Sequence, residues 1–198
     1  MSGCHLHDLA RQCSDCAAFY SGREWTYRGS SILNTRFSSL SSIFPKAHGF
    51  PSAVYLDDQL SSVKIEGCVF DKVDGRVMCL GGGRHNQFIN NLIISSELTQ
   101  SIGMDSRGGG GSKCCTEGKL PYSFLSRVPY NTSAAWAKYP DLSGILDDEP
   151  CTPKHNRISN NVLCGGALNF SLDPKTVTGW GSEMKNNTAV AECPLTWP

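Results

Sequence analysis

The sequence lacks a net charge, a long apolar run and an extended helical pattern. Its 18 Lys and Arg residues balance its 18 Asp and Glu residues over 198 positions. Because there is no basic excess to neutralise phosphates, no nucleic-acid partner is predicted. No apolar run approaches the roughly 18 residues of a membrane-spanning helix, so no membrane association is predicted either. The absence of long helical periodicity, with 20 Gly and 10 Pro, favours an all-β chain.

The N-terminal sequence also lacks a secretory leader pattern. The segment MSGCHLHDLARQC has no charged region followed by an apolar region, so no signal peptide is predicted in this chain. The 10 cysteines are many for this length. An extracellular protein pairs such residues as disulfides, whereas a cytosolic protein keeps them as small buried side chains, and both alternatives remain open. The sequons at Asn131, Asn169 and Asn186 are compatible with secretion, although such triplets often arise by chance.

An imperfect repeat runs through the chain. Short segments share the pattern apolar-x-apolar-x-(Asn or small)-x-apolar at 31–37, 63–70, 88–93 and 157–163. A second kind of strand lies between them, at 17–22, 53–58, 77–82 and 101–106. Cys68 and Asn91, at equivalent positions, are 23 residues apart, which suits one coil of short parallel strands joined by tight turns. The pairs Asn90-Asn91 and Asn160-Asn161 indicate an asparagine ladder between coils.

We therefore predict an all-β fold, a right-handed parallel β-helix (a solenoid) that forms a single domain over residues 1–198. A β-sandwich with accidental similarity between strands is the alternative. The unequal repeat spacing requires insertion loops at about 40–51 and 108–153. The second loop contains Cys114-Cys115, which are candidates for a disulfide with Cys151, and one short helix is expected after Pro140. Loops of this length on a rigid scaffold usually build or cover a site.

Several segments, taken in order, resemble a known family. DCAAFYSGREW at 15–25 resembles a D-A-G-A-I-Y-T-G-R-D-W segment, AVYLDD at 53–58 resembles A-I-Y-L-D-D, and GGGRHN at 81–86 resembles G-G-G-R-D-N. The pattern V-P-Y, W, Y-P and P-x-x-N within 128–156 resembles a further stretch. The family is that of the right-handed parallel β-helix repeat proteins of the pectin-lyase-like superfamily. The resemblance covers roughly residues 3–165.

This resemblance implies a carbohydrate-active protein of a usually secreted family that includes glycoside hydrolases. Its partner would be a polysaccharide or oligosaccharide substrate, and no oligomeric state is implied. The resemblance also implies acid/base roles for Asp15 and for Asp57 or Asp58. The sequence departs from the family at Cys16, Cys68 and His85, which replace Ala, Asn and Asp. Because the match begins in mid-coil, we expect the chain to lack N-terminal coils of the family.

Alternation along the strands predicts which side chains face outward. The residues expected inside are Val54, Leu56, Met78, Leu80, Ile102 and Met104. One outward column should contain Asp57, Gly81 and Asp105, with Tyr20 near its top. Because Gly81 has no side chain, it should leave room for a sugar ring between the two carboxyls. Strand alternation favours Asp57 over Asp58 as the acid/base residue, because Asp58 has the same phase as the inward-facing Val54 and Leu56. Two coil steps span roughly 9–10 Å, close to the carboxyl separation of about 6.5–9.5 Å that suits inverting glycoside hydrolysis.

Polar and aromatic residues at equivalent ends of successive coils are candidates to bind the substrate: Tyr20, Arg23, Trp25, Tyr55, Arg84, His85 and Arg107. Arginine can hold a uronate carboxylate or sugar hydroxyls, and an aromatic ring can stack on a sugar face. The alternative is that Arg–Asp pairs between coils only brace the turns.

The predicted function is hydrolysis of a glycosidic bond of a polysaccharide, with Asp15 and Asp57 as the acid/base pair and Asp105 as a third candidate. The alternatives are a non-catalytic β-helix module that binds glycan or protein, and an inactive fragment. A polysaccharide lyase with calcium on Asp57, Asp58 and Asp105 is less favoured.

No metal and no cofactor are predicted. Zinc is the less favoured alternative for a group of Cys and His residues near the N-terminus, which are Cys4, His5, His7, Cys13 and Cys16. A second C-x-x-C pair is missing from the sequence, so the group lacks the spacing of a structural zinc site.

Overall fold

The structure, a computed structural model, describes residues 1–43, 51–94, 101–107, 125–165 and 171–193. Within these ranges the chain is mostly β, with short helical segments. Two 3-10 helices span Ala134–Trp136 and Pro140–Gly144, and helix α1 spans Pro174–Gly179. No helix among these residues is long and apolar enough to cross a membrane.

The strands form three sheets in which every paired neighbour is parallel. In spatial order, sheet 1 contains β1 (His5–His7), β4 (Arg36–Leu40), β7 (Val69–Val73), β10 (Leu92–Ile94), β13 (Val162–Cys164) and β15 (Thr188–Val190). Sheet 2 contains β11 (Ile102–Asp105), β8 (Arg76–Gly81), β5 (Ser52–Asp57) and β2 (Ala17–Gly22). Sheet 3 contains β14 (Glu183–Lys185), β12 (Arg157–Ser159), β9 (Gln87–Ile89), β6 (Lys64–Glu66) and β3 (Ser31–Leu33).

The chain visits the sheets in rotation. From β2 to β10 it passes through sheet 2, sheet 3 and sheet 1 in turn, and each strand pairs with the strand three places later. This order confirms a mostly β chain of parallel sheets and is compatible with a solenoid. It contradicts the alternative β-sandwich, whose two packed sheets are antiparallel. Strands β14 and β15 continue the pattern beyond residue 165, since β14 pairs with β12 in sheet 3 and β15 pairs with β13 in sheet 1.

The interior consists of apolar columns that run across the strands. Leu6, Phe37, Phe70 and Ile93 are in register on sheet 1, and the Phe37 and Phe70 rings stack at 5.0 Å. The residues predicted to face inward from sheet 2 are all buried, namely Val54, Leu56, Met78, Leu80, Ile102 and Met104. Each such side chain contributes about 1.5–3 kcal/mol through burial, so the columns lock the register of the strands.

An asparagine ladder follows the turn between sheets 3 and 1. The backbone N–H and the side-chain amide of Asn91 both donate to Oδ1 of Asn161, each at 3.0 Å. The backbone N–H of Cys68 donates to Oδ1 of Asn91 at 2.9 Å. Asn90 and Asn160, by contrast, are exposed turn residues with φ of 56° and 57°. The predicted ladder is therefore present, and the second asparagine of each pair forms it.

The insertion before β12 packs on the rest of the chain through its own apolar cluster. Trp25 is fully buried among Leu125, Leu142 and Ile145, and its Nε1 donates to the carbonyl of Pro150 at 3.3 Å. The helix expected after Pro140 is present as the second 3-10 helix. Parts of both predicted insertions, 44–50 and 108–124, lie outside the described residues.

The cysteines occur in both of the expected forms. Disulfides join Cys13 to Cys16 and Cys164 to Cys193, and Cys151 is also disulfide-bonded. Cys68 and Cys79 are free and buried, and Cys4 is free and exposed. Because Cys13 and Cys16 are joined, they have no thiolates to offer to zinc. Cys114, Cys115 and Asn169 lie outside the described residues.

Candidate functional site

Asp57 and Asp105 lie on the outer face of sheet 2, at the end of its strands. β5 ends at Asp57, Asp105 pairs with Gly81, and Leu56 pairs with Leu80, so Asp57 and Gly81 are the next residues along β5 and β8. The predicted column is therefore present. Tyr20 pairs instead with Tyr55 in the neighbouring column, which corrects its expected position.

Arg107 is the centre of this group. Its Nη2 donates to Oδ1 of Asp57 at 2.7 Å and to the hydroxyl of Tyr55 at 2.9 Å. Its Nε lies 3.1 Å from Oδ1 of Asp105 and 3.4 Å from Oδ1 of Asp58. One guanidinium thus contacts three carboxylates. We call Asp57, Asp58, Asp105, Arg107, Tyr20 and Tyr55 the Arg107 cluster.

Asp57 is the most buried carboxyl of the cluster, with 6% of the residue exposed. The hydroxyl of Tyr20 donates to its Oδ2 at 2.5 Å, so both carboxylate oxygens accept a hydrogen bond. The Tyr20 and Tyr55 rings meet edge to face at 5.2 Å. These contacts hold Asp57 in one orientation, whereas the Asp105 side chain is 47% exposed.

The glycine between the two carboxyls has a different role from the one predicted. A Cβ at Gly81 would lie 2.5 Å from Nε and 2.6 Å from Nη2 of Arg107. The guanidinium therefore lies directly over Gly81, where the sequence analysis predicted room for a sugar ring. The missing side chain is what lets Arg107 cross from β11 to Asp57 on β5.

Burial makes two of the carboxyls harder to ionise. It raises the pKa of Asp105 above the usual 3.8, and Arg107 offsets only part of this effect. It also raises the pKa of Asp58, to which the neighbouring Asp57 charge adds. For Arg107, burial lowers the pKa, but the charge of Asp105 and the contact with Tyr55 outweigh this and raise it. The cluster therefore combines a permanent cation with two carboxyls whose pKa values are raised by burial.

Asp58 joins the cluster although parity assigned it to the interior. β5 ends one residue earlier, and Asp58 has a φ of 32°, which turns the chain. Its Oδ2 lies 3.7 Å from Nε of Arg23, whose side chain is 50% exposed. Strand alternation does not continue beyond the last paired residue, so the parity argument fails at Asp58.

Asp15 does not lie in the cluster. It is exposed and precedes β2, whereas Asp57 pairs with Gly22 at the opposite end of that strand. The length of β2 alone separates the two positions by about 17 Å, at roughly 3.3 Å per residue. The fold therefore does not bring the predicted acid/base pair of Asp15 and Asp57 together, because the two residues lie at opposite ends of the paired strands β2 and β5.

Two residues predicted to bind substrate, Trp25 and Arg84, instead hold the insertion. Trp25 is buried beneath it and has no exposed ring face for a sugar. The Arg84 side chain is 1% exposed and donates to the carboxylate and carbonyl of Asp148 and to the carbonyl of Glu149. These placements depend on the insertion folding back over the turns, which the repeat pattern does not reveal.

His85 also faces the insertion. Its Nε2 lies 3.4 Å from Oδ2 of Asp141, and its ring stacks on that of His155 at 5.2 Å. It is therefore separate from the Arg107 cluster, whereas Tyr20 and Tyr55 belong to the cluster and Arg23 lies beside it.

Sequence reasoning missed Arg76, which covers the next part of the same face. A Cβ at Gly103 would lie 2.8 Å from Cδ of Arg76, and Arg76 Nη1 lies 2.9 Å from Sγ of Cys79. Burial raises the pKa of Cys79 to about 11, so this thiol is protonated at neutral pH. A glycine inside a strand often marks a close approach, and Gly103 was the available signal.

The acidic residues of the cluster do not form an open metal site. Among the described residues, no group of three or more His, Cys, Asp or Glu side chains is arranged to hold a metal ion. The Arg107 guanidinium contacts all three carboxylates of the calcium alternative, Asp57, Asp58 and Asp105.

The chain matches no protein-family model, no curated protein and no solved structure.

Proposed function

We propose that this protein is a right-handed parallel β-helix that hydrolyses a glycosidic bond of a polysaccharide at the Arg107 cluster. The rotation of the chain through three parallel sheets supports the fold, as does the motif resemblance over residues 3–165. The observation that supports hydrolysis is that Asp57 and Asp105 lie in one outward column and contact the same guanidinium, that of Arg107.

The two carboxyls have environments that suit different roles. Asp105 is half exposed, and burial raises its pKa, which favours Asp105 as the general acid that protonates the leaving oxygen. Asp57 accepts hydrogen bonds at both oxygens, which suits a carboxylate that activates water or attacks the sugar. Asp58 is the substitute for Asp105 as the acid, since burial raises its pKa as well.

The remaining members of the cluster would bind and orient. Arg107 and Tyr20 hold the Asp57 carboxylate in place. Tyr20 is 45% exposed, so its ring offers an apolar face on which a sugar can stack. Arg23, at the rim, can bond a hydroxyl or a carboxylate of the polysaccharide.

A non-catalytic module that binds glycan is the second candidate, and one observation favours it. Arg107 lies over Gly81 and between the carboxylates, where water or a glycosidic oxygen would have to enter. Hydrolysis therefore requires the guanidinium to shift when the substrate binds, whereas binding alone does not.

Secretion is part of the proposal. The described disulfides, Cys13–Cys16 and Cys164–Cys193, support it because disulfides persist in oxidising compartments.

The test is the release of reducing ends from a panel of plant and algal polysaccharides. Asp57→Asn and Asp105→Asn should each lower the rate by about 100-fold or more. Asp15→Asn is the matched control, since it removes a carboxylate at the other end of β2, and it should leave the rate unchanged. Thermal unfolding of each variant checks that the fold is retained.

Two outcomes would overturn the proposal. If the well-folded wild type releases nothing from any substrate, the binding module becomes the better hypothesis. If only Asp15→Asn loses activity, the Arg107 cluster is not the catalytic site.

A further inference from the structure

A pocket lies between the insertion and the turns that lead into sheet 3. Its volume is about 390 Å³, within the range of about 300–1,000 Å³ that is usual for small-molecule sites. Ser62 and Gln87 line it from the side of the sheets, and Lys138, Tyr139 and Asp141 line it from the insertion. None of these five residues belongs to the Arg107 cluster.

The pocket has an excess of positive charge. Arg28, whose side chain is 1% exposed, forms a bidentate ion pair with Asp141 at 2.8 and 2.7 Å. Burial raises the pKa of Asp141, but hydrogen bonds from His85 and Arg28 outweigh it and hold the pKa well below the usual range. Asp141 is thus ionised at neutral pH and is matched by Arg28, which leaves the charge of Lys138 without a carboxylate in the lining.

Tyr139 provides an aromatic wall on which both cations rest. Nζ of Lys138 lies 5.1 Å from the centroid of its ring, and Cζ of Arg28 lies 5.3 Å from it. Such contacts are attractive because the ring face is electron-rich. They hold Lys138, an exposed residue, beside the pocket.

The opposite wall offers polar groups for hydroxyl-rich ligands. Ser62 and Gln87 are half-buried and line the pocket. Their hydroxyl and amide groups can both donate and accept hydrogen bonds. A ligand that combines several hydroxyls with one negative charge would therefore match both walls.

We propose that this pocket binds a carboxylate-bearing sugar, such as a uronic acid unit, at a site separate from the Arg107 cluster. The Lys138 ammonium pairs with the carboxylate, and Ser62 and Gln87 bond the ring hydroxyls. The choice of a sugar rests on the proposed function, whereas the preference for an anion rests on the charges of the pocket.

The experiment is isothermal titration calorimetry of the full chain at pH 7 with galacturonate. Galactose is the matched neutral probe, and inorganic phosphate is the matched anion without a sugar ring. Galacturonate should bind, and galactose should bind at least about tenfold more weakly, since it lacks the charge-assisted contact. Lys138→Ala should weaken galacturonate binding by about tenfold.

Two control variants locate the binding. Lys175→Ala removes an exposed charge on helix α1 and should leave the affinity unchanged. Lys185→Ala removes an exposed charge that pairs with Glu183 and does not line the pocket, and it should also leave the affinity unchanged. Binding that persists while no hydrolysis is detected would separate this inference from the proposed enzyme activity.

Three results would overturn the inference. They are no heat of binding with galacturonate, equal affinity for galactose, and stronger binding of phosphate than of galacturonate. An unchanged affinity in Lys138→Ala would also place the ligand elsewhere.

Discussion

Arg107 and Asp57 are joined across an intervening strand. Arg107 follows β11, Asp57 ends β5, and β8 lies between them in sheet 2, yet Nη2 and Oδ1 are 2.7 Å apart. The contact exists because Gly81, on β8, has no side chain in the path of the guanidinium. The positive charge of Arg107 therefore neutralises the Asp57 carboxylate two strands away, and this contact depends on Gly81 between them.

Removal of the Arg107 charge should destabilise the fold. Arg107→Met leaves the nearly buried Asp57 carboxylate without its ion partner, which should lower the free energy of unfolding by about 2–3 kcal/mol. The magnitude is at the lower end for buried pairs because the Arg107 side chain is 25% exposed. Urea denaturation at pH 7 measures the effect.

The matched control is Arg157→Met. Arg157 pairs with Glu183 on the surface at 3.0 Å, and exposed pairs contribute little. The double variant Arg107→Met with Asp57→Asn should lose less stability than Arg107→Met alone. Equal losses for Arg107→Met and Arg157→Met would show that the cluster does not stabilise the fold.

Asp105 and Asp141 should change the pH dependence of stability in opposite directions. Burial raises the pKa of Asp105 above 3.8 in the folded state, so its ionisation costs stability as the pH rises from 3.8 through that higher value. For Asp141, burial opposes but hydrogen bonds from His85 and Arg28 lower the pKa. Its contribution is therefore present above pH 3.8 and lost as the pH falls through the lower value.

Free energies of unfolding at pH 3 and pH 7 test both signs. The measured quantity is the change in the free energy of unfolding from pH 3 to pH 7. Compared with the wild type, this change should be more favourable to the folded state in Asp105→Asn and less favourable in Asp141→Asn. Because the other carboxyls are common to all three proteins, their effects cancel in the differences. A change of the same sign in both variants would contradict the opposite pKa shifts of Asp105 and Asp141.

The buried asparagine ladder should contribute much more stability than the turn residue beside it. Asn161 donates to the carbonyl of Phe88 at 2.9 Å and to Oδ1 of Asn187 at 2.8 Å, and it accepts from the backbone of Asn91. Asn161→Ala leaves buried partners unsatisfied and should cost about 2–3 kcal/mol in urea denaturation.

Asn160→Gly is the control for the ladder. Asn160 is exposed and has a φ of 57°, which glycine adopts without strain. This change should alter the free energy of unfolding by less than about 0.5 kcal/mol. Comparable losses at both positions would refute the ladder as the source of the stability.

Arg84 should fasten the insertion to the turns. Arg84→Met removes the contacts with Asp148 and Glu149, so the insertion should open locally more often while the sheets persist. Limited proteolysis should then cut within 125–153 about tenfold faster. Arg36→Met, which removes a half-exposed pair with Asp71, is the control and should not change this cleavage. Unaltered cleavage in Arg84→Met would mean that the apolar cluster around Trp25 holds the insertion.

Much of the scaffold was predictable because its signals are local. Val54 and Leu56 alternate with Tyr55 and Asp57, and this period of two alone separates the core face from the outer face. The Asn91 and Asn161 ladder was visible for the same reason, since equivalent positions recur along the chain. Alternation failed at Asp58 because the strand ends before it.

The site was only partly predictable. Asp57 and Asp105 were expected in one column, but Arg107 between them and Arg76 beside them were not assigned those places. Trp25 and Arg84 looked like surface groups because they follow strand ends, and both are buried by residues more than 60 positions later in the chain.

The apolar faces of the strands, the turns that interrupt them and the outward column of carboxyls all follow from the amino-acid sequence. These features depend on residues close in sequence and on a repeat of fixed geometry. The separation of Asp15 from the cluster, the position of Arg107 over Gly81 and the burial of Trp25 beneath the insertion became visible only in the folded chain. Those outcomes depend on contacts between distant segments, whose free energy cannot be assigned until the path of the chain brings them together.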